Sequence, residues 1–188
     1  MTYTGAYEQT GTQSLGFAAD QIQVVKVQFV IDSHRITGDF RYGGPPRRLV
    51  DLLNALDGGY ATLFNGALGS AQKADEDMKD FEVAQVRRDA ILYAIPLSAT
   101  PAAGSYAEAV RKIPVSTTLG LPGYDITGNC YHAPEADPIM APVLSSRSFI
   151  PMTDAVIRPT FKAKIGREEL VVVNLARVLV YAPNVQAG

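Results

Sequence analysis

The feature that most constrains this fold is a pair of related halves within one chain of 188 residues. Three short segments of the first half recur in the same order in the second half, with starting points offset by 90, 89 and 87 residues. They begin at Ile36 and Ile126, at Gly59 and Ser148, and at Ala90 and Arg177. The pattern predicts two copies of one unit, separated by small insertions and deletions. Each residue then has a counterpart in the other copy, here called its twin, with which any proposed role can be compared.

Alternating apolar residues predict short strands in both copies. Val25, Val27 and Phe29 lie at every second position, which is the period of a half-buried strand. Val115, Thr117 and Leu119 stand at the same positions of the second copy. By the same reasoning strands are predicted at 25–31, 35–42, 60–72, 79–87 and 90–95 in the first copy, and at 115–121, 125–132, 149–165, 170–173 and 177–182 in the second. Leucines at helical spacing predict one short helix at 47–56.

The predicted fold class is therefore all-β with minor α, in two tandem five-stranded small antiparallel barrels of Sm-like or SH3-like type. Closing such a small sheet removes its exposed edges. The predicted segments are an N-terminal tail or arm at 1–20, barrel repeat 1 at 21–97, a linker with a short helix at 98–112, and barrel repeat 2 at 113–188. Each repeat is near the lower size limit for an independent core, so the two are expected to pack against each other or against further subunits.

Composition favours a protein partner over nucleic acid or membrane. Apolar residues make up 47% of the chain and charged residues 19%, against about 25% in typical soluble domains. The net charge is −2, without the basic surface expected of a nucleic-acid binder, and no apolar run is long enough to span a membrane. The excess of apolar residues predicts a homo-oligomer or a subunit of a larger assembly. Tyr3 and Tyr7 are candidate subunit contacts if residues 1–20 form an ordered arm, although a flexible tail is the alternative reading.

Two short motifs resemble known families. The series Gly38…Asp51-Leu52-Leu53-Asn54…Gly66-Ala67 is similar to the Sm-like small barrel, in which a strand-two glycine, an Asp-x-x-Asn element and a later acidic-Ala pair recur. The resemblance covers most of the first copy and, more weakly, the second. It implies contact with RNA or a small ligand, with candidate residues Arg41, Arg47, Arg48, Asp51 and Asn54. The run 48–54 also resembles an Arg-Leu-x-Asp-x-Leu-Asn motif of bacterial domains with no assigned activity.

Cys130 and His132 form the candidate catalytic pair. On a strand the two side chains share a face, and a thiol nucleophile needs a base within hydrogen-bond reach. Their twins, Phe40 and Tyr42, are large aromatic residues, which favours a packing role over a catalytic one. A thiol-dependent enzyme stays open as an alternative.

Metals, cofactors and secretion are not expected. With one cysteine and two histidines the chain has no recognisable zinc motif, and the acidic residues Asp75, Glu76, Asp77 and Asp80 lack the spacing of a calcium loop. The N-terminus shows no secretory signal, so a cytoplasmic location is expected. Asn65 and its twin Asp154 are each followed by a small residue, which predicts a structural hydrogen bond in a bulge or turn.

The preferred function is therefore a non-catalytic structural or scaffolding subunit that self-assembles or joins a larger protein complex. The alternatives are an Sm-like binding module for RNA or a small ligand and, third, an enzyme that uses Cys130 and His132.

Overall fold

The computed structural model describes residues 22–56, 59–71, 78–98, 112–140, 147–161 and 165–184. These residues form ten strands, one short α-helix and two 3-10 turns. In chain order the helix and strands are β1 (Ile22–Ile31), β2 (His34–Gly43), α1 (Leu49–Asn54), β3 (Tyr60–Ser70), β4 (Lys79–Arg87), β5 (Ile91–Pro96), β6 (Ile113–Leu121), β7 (Tyr124–His132), β8 (Phe149–Pro159), β9 (Gly166–Asn174) and β10 (Val180–Pro183). The predicted all-β class is confirmed. No helix of the described residues is long and apolar enough to cross a membrane.

The ten strands form one antiparallel sheet in the order β10-β6-β7-β8-β9-β5-β1-β2-β3-β4. The first half therefore contributes the run β5-β1-β2-β3-β4 and the second half the run β10-β6-β7-β8-β9, which is the same order by position within each half. The two runs meet where β9 pairs with β5. The pairing is thus continuous through both halves, where the sequence predicted two separately closed sheets.

The strand registers follow the offsets seen in the sequence. Val27 lies opposite Gly38, and Thr117 lies opposite Gly128, so the β1–β2 and β6–β7 hairpins share one register. Asn65 and Asp154 both lie where the strands bulge, with positive φ angles of 47° and 51°. The adjacent pairings, β2 with β3 and β7 with β8, shift register beside them. Both strands bulge there.

Several predicted boundaries need correction. Residues 166–169 lie between the predicted strands 149–165 and 170–173, but in the structure they begin β9 and pair with β8. Exposed and half-buried residues alternate there, so the charged side chains of Arg167 and Glu169 face solvent while the backbone completes the sheet. β8 ends at Pro159 rather than at 165, because its pairing with β9 closes where Ile157 lies opposite Gly166. Helix α1 is shorter than predicted and begins after Pro45-Pro46.

Several predicted features fall on residues outside the described ranges. These are the tail or arm with Tyr3 and Tyr7, the linker helix, and the acidic residues 75–77.

Two hydrophobic clusters fill the fold, and each draws residues from both halves. The first is built on β1–β5 and α1 but includes Phe149 and Val172 from the second half. The second is built on β6–β9 but includes Val30, Leu92 and Tyr93 from the first half. The halves therefore complete each other's cores, and the β9–β5 pairing lies between them.

Candidate functional site

The junction between the halves is the most distinctive structural site. Tyr93 lies opposite Val173, and Ala94 lies opposite Val172, so β5 and β9 are hydrogen-bonded antiparallel neighbours. Every residue from Ile91 to Ile95 is buried, and so is every residue from Val171 to Asn174. Asn174 completes the contact, because its side-chain amide donates to the carbonyl oxygen of Ile91 at 2.9 Å and its oxygen accepts from the backbone N–H of Ala176.

Helix α1 adds a second link between the halves through Asn54. The Nδ2 of Asn54 donates to the carbonyl oxygen of Phe149, and its Oδ1 accepts from the backbone N–H of the same residue, at 2.9 and 3.0 Å. The amide thus pairs with the first residue of β8 in the manner of a neighbouring strand. Arg88 supports this contact, since its Nε donates to the carbonyl oxygen of Leu53 and its guanidinium lies 5.3 Å from the centre of the Phe149 ring.

The registers identify the twins of the junction residues at the two ends of the sheet. Ala94 lies opposite Phe29, and Tyr181 lies opposite Leu119. Because Leu119 is the twin of Phe29, Tyr181 is the twin of Ala94. One residue earlier, Val180 is the twin of Tyr93. In the same way Val86 and Gln85 on β4 are the twins of Val173 and Val172 on β9. The outer edges of β10 and β4 therefore correspond to the two sides of the junction.

Apolar residues that are buried at the junction are exposed at these edges. Leu92 is 0% exposed and its twin Leu179 is 73% exposed. Tyr93 is 4% exposed and its twin Val180 is 58% exposed. On the other edge, Val83 of β4 is 57% exposed. In the described sheet, neither β10 nor β4 has a neighbour on its outer side, which leaves a row of backbone donors and acceptors for pairing.

The residues implied by the Sm-like resemblance are only partly brought together. Arg48 and Asp51 form a bidentate ion pair at 2.7 and 2.9 Å, and this hydrogen bond raises the pKa of the Arg48 guanidinium. Arg41 lies 4.3 Å above the Phe64 ring, and the exposed Arg47 donates its backbone N–H to the Tyr42 hydroxyl. Asn54 faces the second half instead. Asp51 and Asn54 therefore have intramolecular partners at the positions where the resemblance implies ligand contact.

The candidate catalytic pair lies in an environment that disfavours a thiolate. Cys130 is buried, and burial raises the pKa of its thiol to about 11. Burial and the nearby charge of Lys112 lower the pKa of His132, whose Nε2 lies 3.4 Å from the hydroxyl oxygen of Tyr181. Thiol and imidazole are therefore both neutral near pH 7, whereas a reactive cysteine needs a thiolate.

Sequence reasoning missed the residues that join the halves, above all Asn174, and the cations Lys112 and Arg147 that line a cavity beside Cys130. The only sequence signal for Asn174 is a polar residue that follows three consecutive valines. Within the described ranges, no group of His, Cys, Asp or Glu side chains is arranged to hold a metal ion.

Comparisons with family models, with curated proteins and with solved structures give no significant match for this chain.

Proposed function

We propose that this chain is a non-catalytic structural subunit of the cytoplasm, built by internal duplication of a small Sm-like unit, and that it assembles head to tail with copies of itself. Each half is taken as one such unit of five strands, although each hydrophobic cluster also takes residues from the other half. Strand β10 of one copy pairs with strand β4 of the next and repeats the β9–β5 junction between molecules. The exposure of Leu179 and Val180, whose twins are buried in the junction, carries the proposal.

The internal junction supplies the register of the proposed contact. Replacing each junction residue by its twin puts Val180 opposite Val86 and Tyr181 opposite Gln85, in antiparallel pairing. Burial of Leu179 would contribute up to about 2 kcal/mol. The side-chain contacts of Asn174 and Arg88 have no described equivalent at these edges, because Arg87 is the twin of Asn174 and Leu175 is the twin of Arg88. We therefore expect association between molecules to be weaker than the internal contact.

A cysteine pair tests the register directly. Directly opposed residues of antiparallel strands have Cβ atoms about 4.5–5.5 Å apart, which is close to the span of a disulfide. A chain carrying Tyr181→Cys and Gln85→Cys should form a ladder of disulfide-linked species on mild oxidation, seen on denaturing non-reducing gels. The matched control, Tyr181→Cys with Glu82→Cys, places the second cysteine out of register and should form far less.

Size-exclusion chromatography with light scattering tests the assembly itself. The mass of the unmodified chain should rise with concentration, and Leu179→Lys should return it to the monomer mass. Leu97→Lys, which changes a half-exposed leucine outside the edge strands, should leave assembly unchanged. A monomer at every concentration, together with no in-register ladder, would refute self-assembly. A ladder of equal yield from both cysteine pairs would refute the register.

Binding of RNA is the second candidate, and the exposed Arg41 and Arg47 support it. Fluorescence anisotropy with a labelled single-stranded RNA tests it at low salt, where phosphate contacts are strongest. Arg41→Gln with Arg47→Gln should then weaken binding. No anisotropy change at low salt would dispose of this candidate.

A further inference from the structure

A cavity of about 480 Å³ lies where helix α1 of the first half meets the second half. One wall is the end of β7 with the residues that follow it, and another is the start of β8 with Tyr181 of β10. Arg48 and Val50 of the α1 region close the third side. The volume is within the range of small-molecule sites, roughly 300–1,000 Å³.

Three cationic side chains from separate segments line this cavity. Arg48 precedes α1, Lys112 precedes β6 and Arg147 precedes β8. Two carboxylates, those of Glu135 and Asp137, line it as well, and one oxygen of Asp137 accepts the backbone N–H of Ile139. The Arg48 guanidinium is already paired with Asp51, so the positive charge that favours a negatively charged ligand comes from Lys112 and Arg147.

The inner surface of the cavity is neutral and partly apolar. Cys130 is a protonated thiol, and burial raises the pKa of Tyr181 and lowers that of His132. Ile150, Pro151 and Leu175 add apolar surface beside them. A ligand that fits both parts combines an anionic group with an apolar ring or chain.

The comparison of twins shows that Cys130, His132 and Lys112 are replaced by different residue types in the first half. In the first half Phe40 stands in place of Cys130, Tyr42 in place of His132 and Ile22 in place of Lys112. Phe40 is buried in the first cluster with the leucines of α1, and the cavity at that end is about 260 Å³. Cys130 and His132 thus take the places of two large aromatic residues beside the larger of these two cavities.

We propose that this cavity binds a small organic carboxylate that carries an apolar ring or short chain. The cations and the apolar wall select an amphipathic anion. Glu135 and Asp137 oppose a dianion, and none of the described residues that line the cavity is a glycine, so a monoanionic carboxylate fits better than a phosphate monoester.

Chemical-shift mapping on the full chain tests this binding with benzoate as the probe. Benzyl alcohol is the neutral control and phenyl phosphate the dianionic one. Benzoate should shift the backbone amides of residues 130–137 and 147–151 in a saturable way, with weaker effects from both controls. Lys112→Gln should weaken benzoate binding about tenfold, as expected for the loss of a charge-assisted contact. Lys79→Gln, on the edge strand β4, should leave it unchanged.

Cys130→Phe provides the sharpest variant, because it restores the residue of the first half and fills the cavity. Benzoate binding should disappear, while the amide spectrum outside the cavity stays that of a folded chain. If this variant does not fold, Lys112→Gln alone decides the outcome. No saturable shift with benzoate, shifts unaltered by Lys112→Gln, or equally strong binding of benzyl alcohol would overturn the proposal. Equal binding of phenyl phosphate would overturn the assignment to carboxylates.

Discussion

Asn54 has the amide chemistry of a ligand-binding residue, yet its side chain is used within the fold. The Sm-like resemblance implied that Asp51 and Asn54 contact RNA together. In the structure Asp51 pairs with Arg48, three residues away, whereas Asn54 pairs with Phe149, 95 residues away. The pairing of Asp51 with Arg48 can be predicted from the sequence, because residues three positions apart are neighbours on a helix. The pairing of Asn54 with Phe149 depends on how the two halves pack against each other, and no local sequence pattern predicts that.

Asn54→Ala should lower the free energy of unfolding by about 2–3 kcal/mol, since both backbone groups of Phe149 lose a hydrogen-bond partner in a part-buried place. Urea denaturation followed by circular dichroism measures the change. Asn129→Ala is the matched control. Its amide donates to Asp154 on an exposed surface, and its loss should cost less than about 1 kcal/mol. Equal costs for the two variants would contradict the role of Asn54 as a link.

Cys130 should react slowly with alkylating reagents in the folded chain. Burial raises its pKa to about 11, so the thiol is protonated at neutral pH and only the thiolate reacts. The alkylation rate, followed by mass spectrometry, should rise about tenfold per pH unit up to the limit of stability. In urea the reaction should be much faster at the same pH. Rapid, pH-independent alkylation of the folded chain would instead support the thiol-dependent enzyme.

At the level of elements, the sequence predicted strand boundaries best where apolar and polar side chains alternate. The boundaries of β4 were predicted to the residue, and those of β2 and β7 to within one. The prediction failed at the start of β9 because charges on a solvent-facing strand resemble those of a turn. It succeeded at the bulges because Asn65 and Asp154 are both polar and both precede a small residue. Comparing each residue with its twin therefore predicted the bulges, which one copy alone would not have indicated.

The bulge of β3 makes Gly66 sensitive to substitution. A Cβ at this position would clash with the carbonyl oxygen of Thr37 and with the Phe81 ring. Gly66→Ala should therefore lower the free energy of unfolding by about 3 kcal/mol, because the backbone or the ring must move. Gly43→Ala is the control, since a Cβ there meets nothing within 4 Å and the cost should be close to zero. Thermal and urea unfolding of both variants check the difference, and equal stability would show that the bulge relaxes freely.

For the whole molecule, the sequence predicted the all-β class but not how the halves join. In an all-antiparallel sheet the strand that covers an apolar edge can come from anywhere in the chain. A strand was predicted at 90–95, but nothing near it indicated that β9 would be its second neighbour. The cavity was missed for the same reason, because Arg48, Lys112 and Arg147 meet only after the halves dock.

Because each core contains residues of the other half, the chain should unfold in a single transition. Val172→Ala changes a second-half residue that packs in the first core, and it should lower the stability of both halves by about 1–2 kcal/mol. Amide hydrogen exchange in increasing urea measures this, residue by residue, in β2 and in β7. Both strands should lose protection at one common midpoint in each protein. Separate midpoints, or a loss confined to β7, would show that the halves are energetically independent.

The position of β5 in the middle of the sheet has a consequence for synthesis on the ribosome. Its second neighbour, β9, is made about 80 residues later, which at ordinary translation speeds means a delay of several seconds. During that interval β5 is paired with β1 on one edge only, and its other, apolar edge has no neighbouring strand. We expect chaperones to bind this apolar edge. Slowly translated codons between β5 and β9 would lengthen the time for which the edge is exposed.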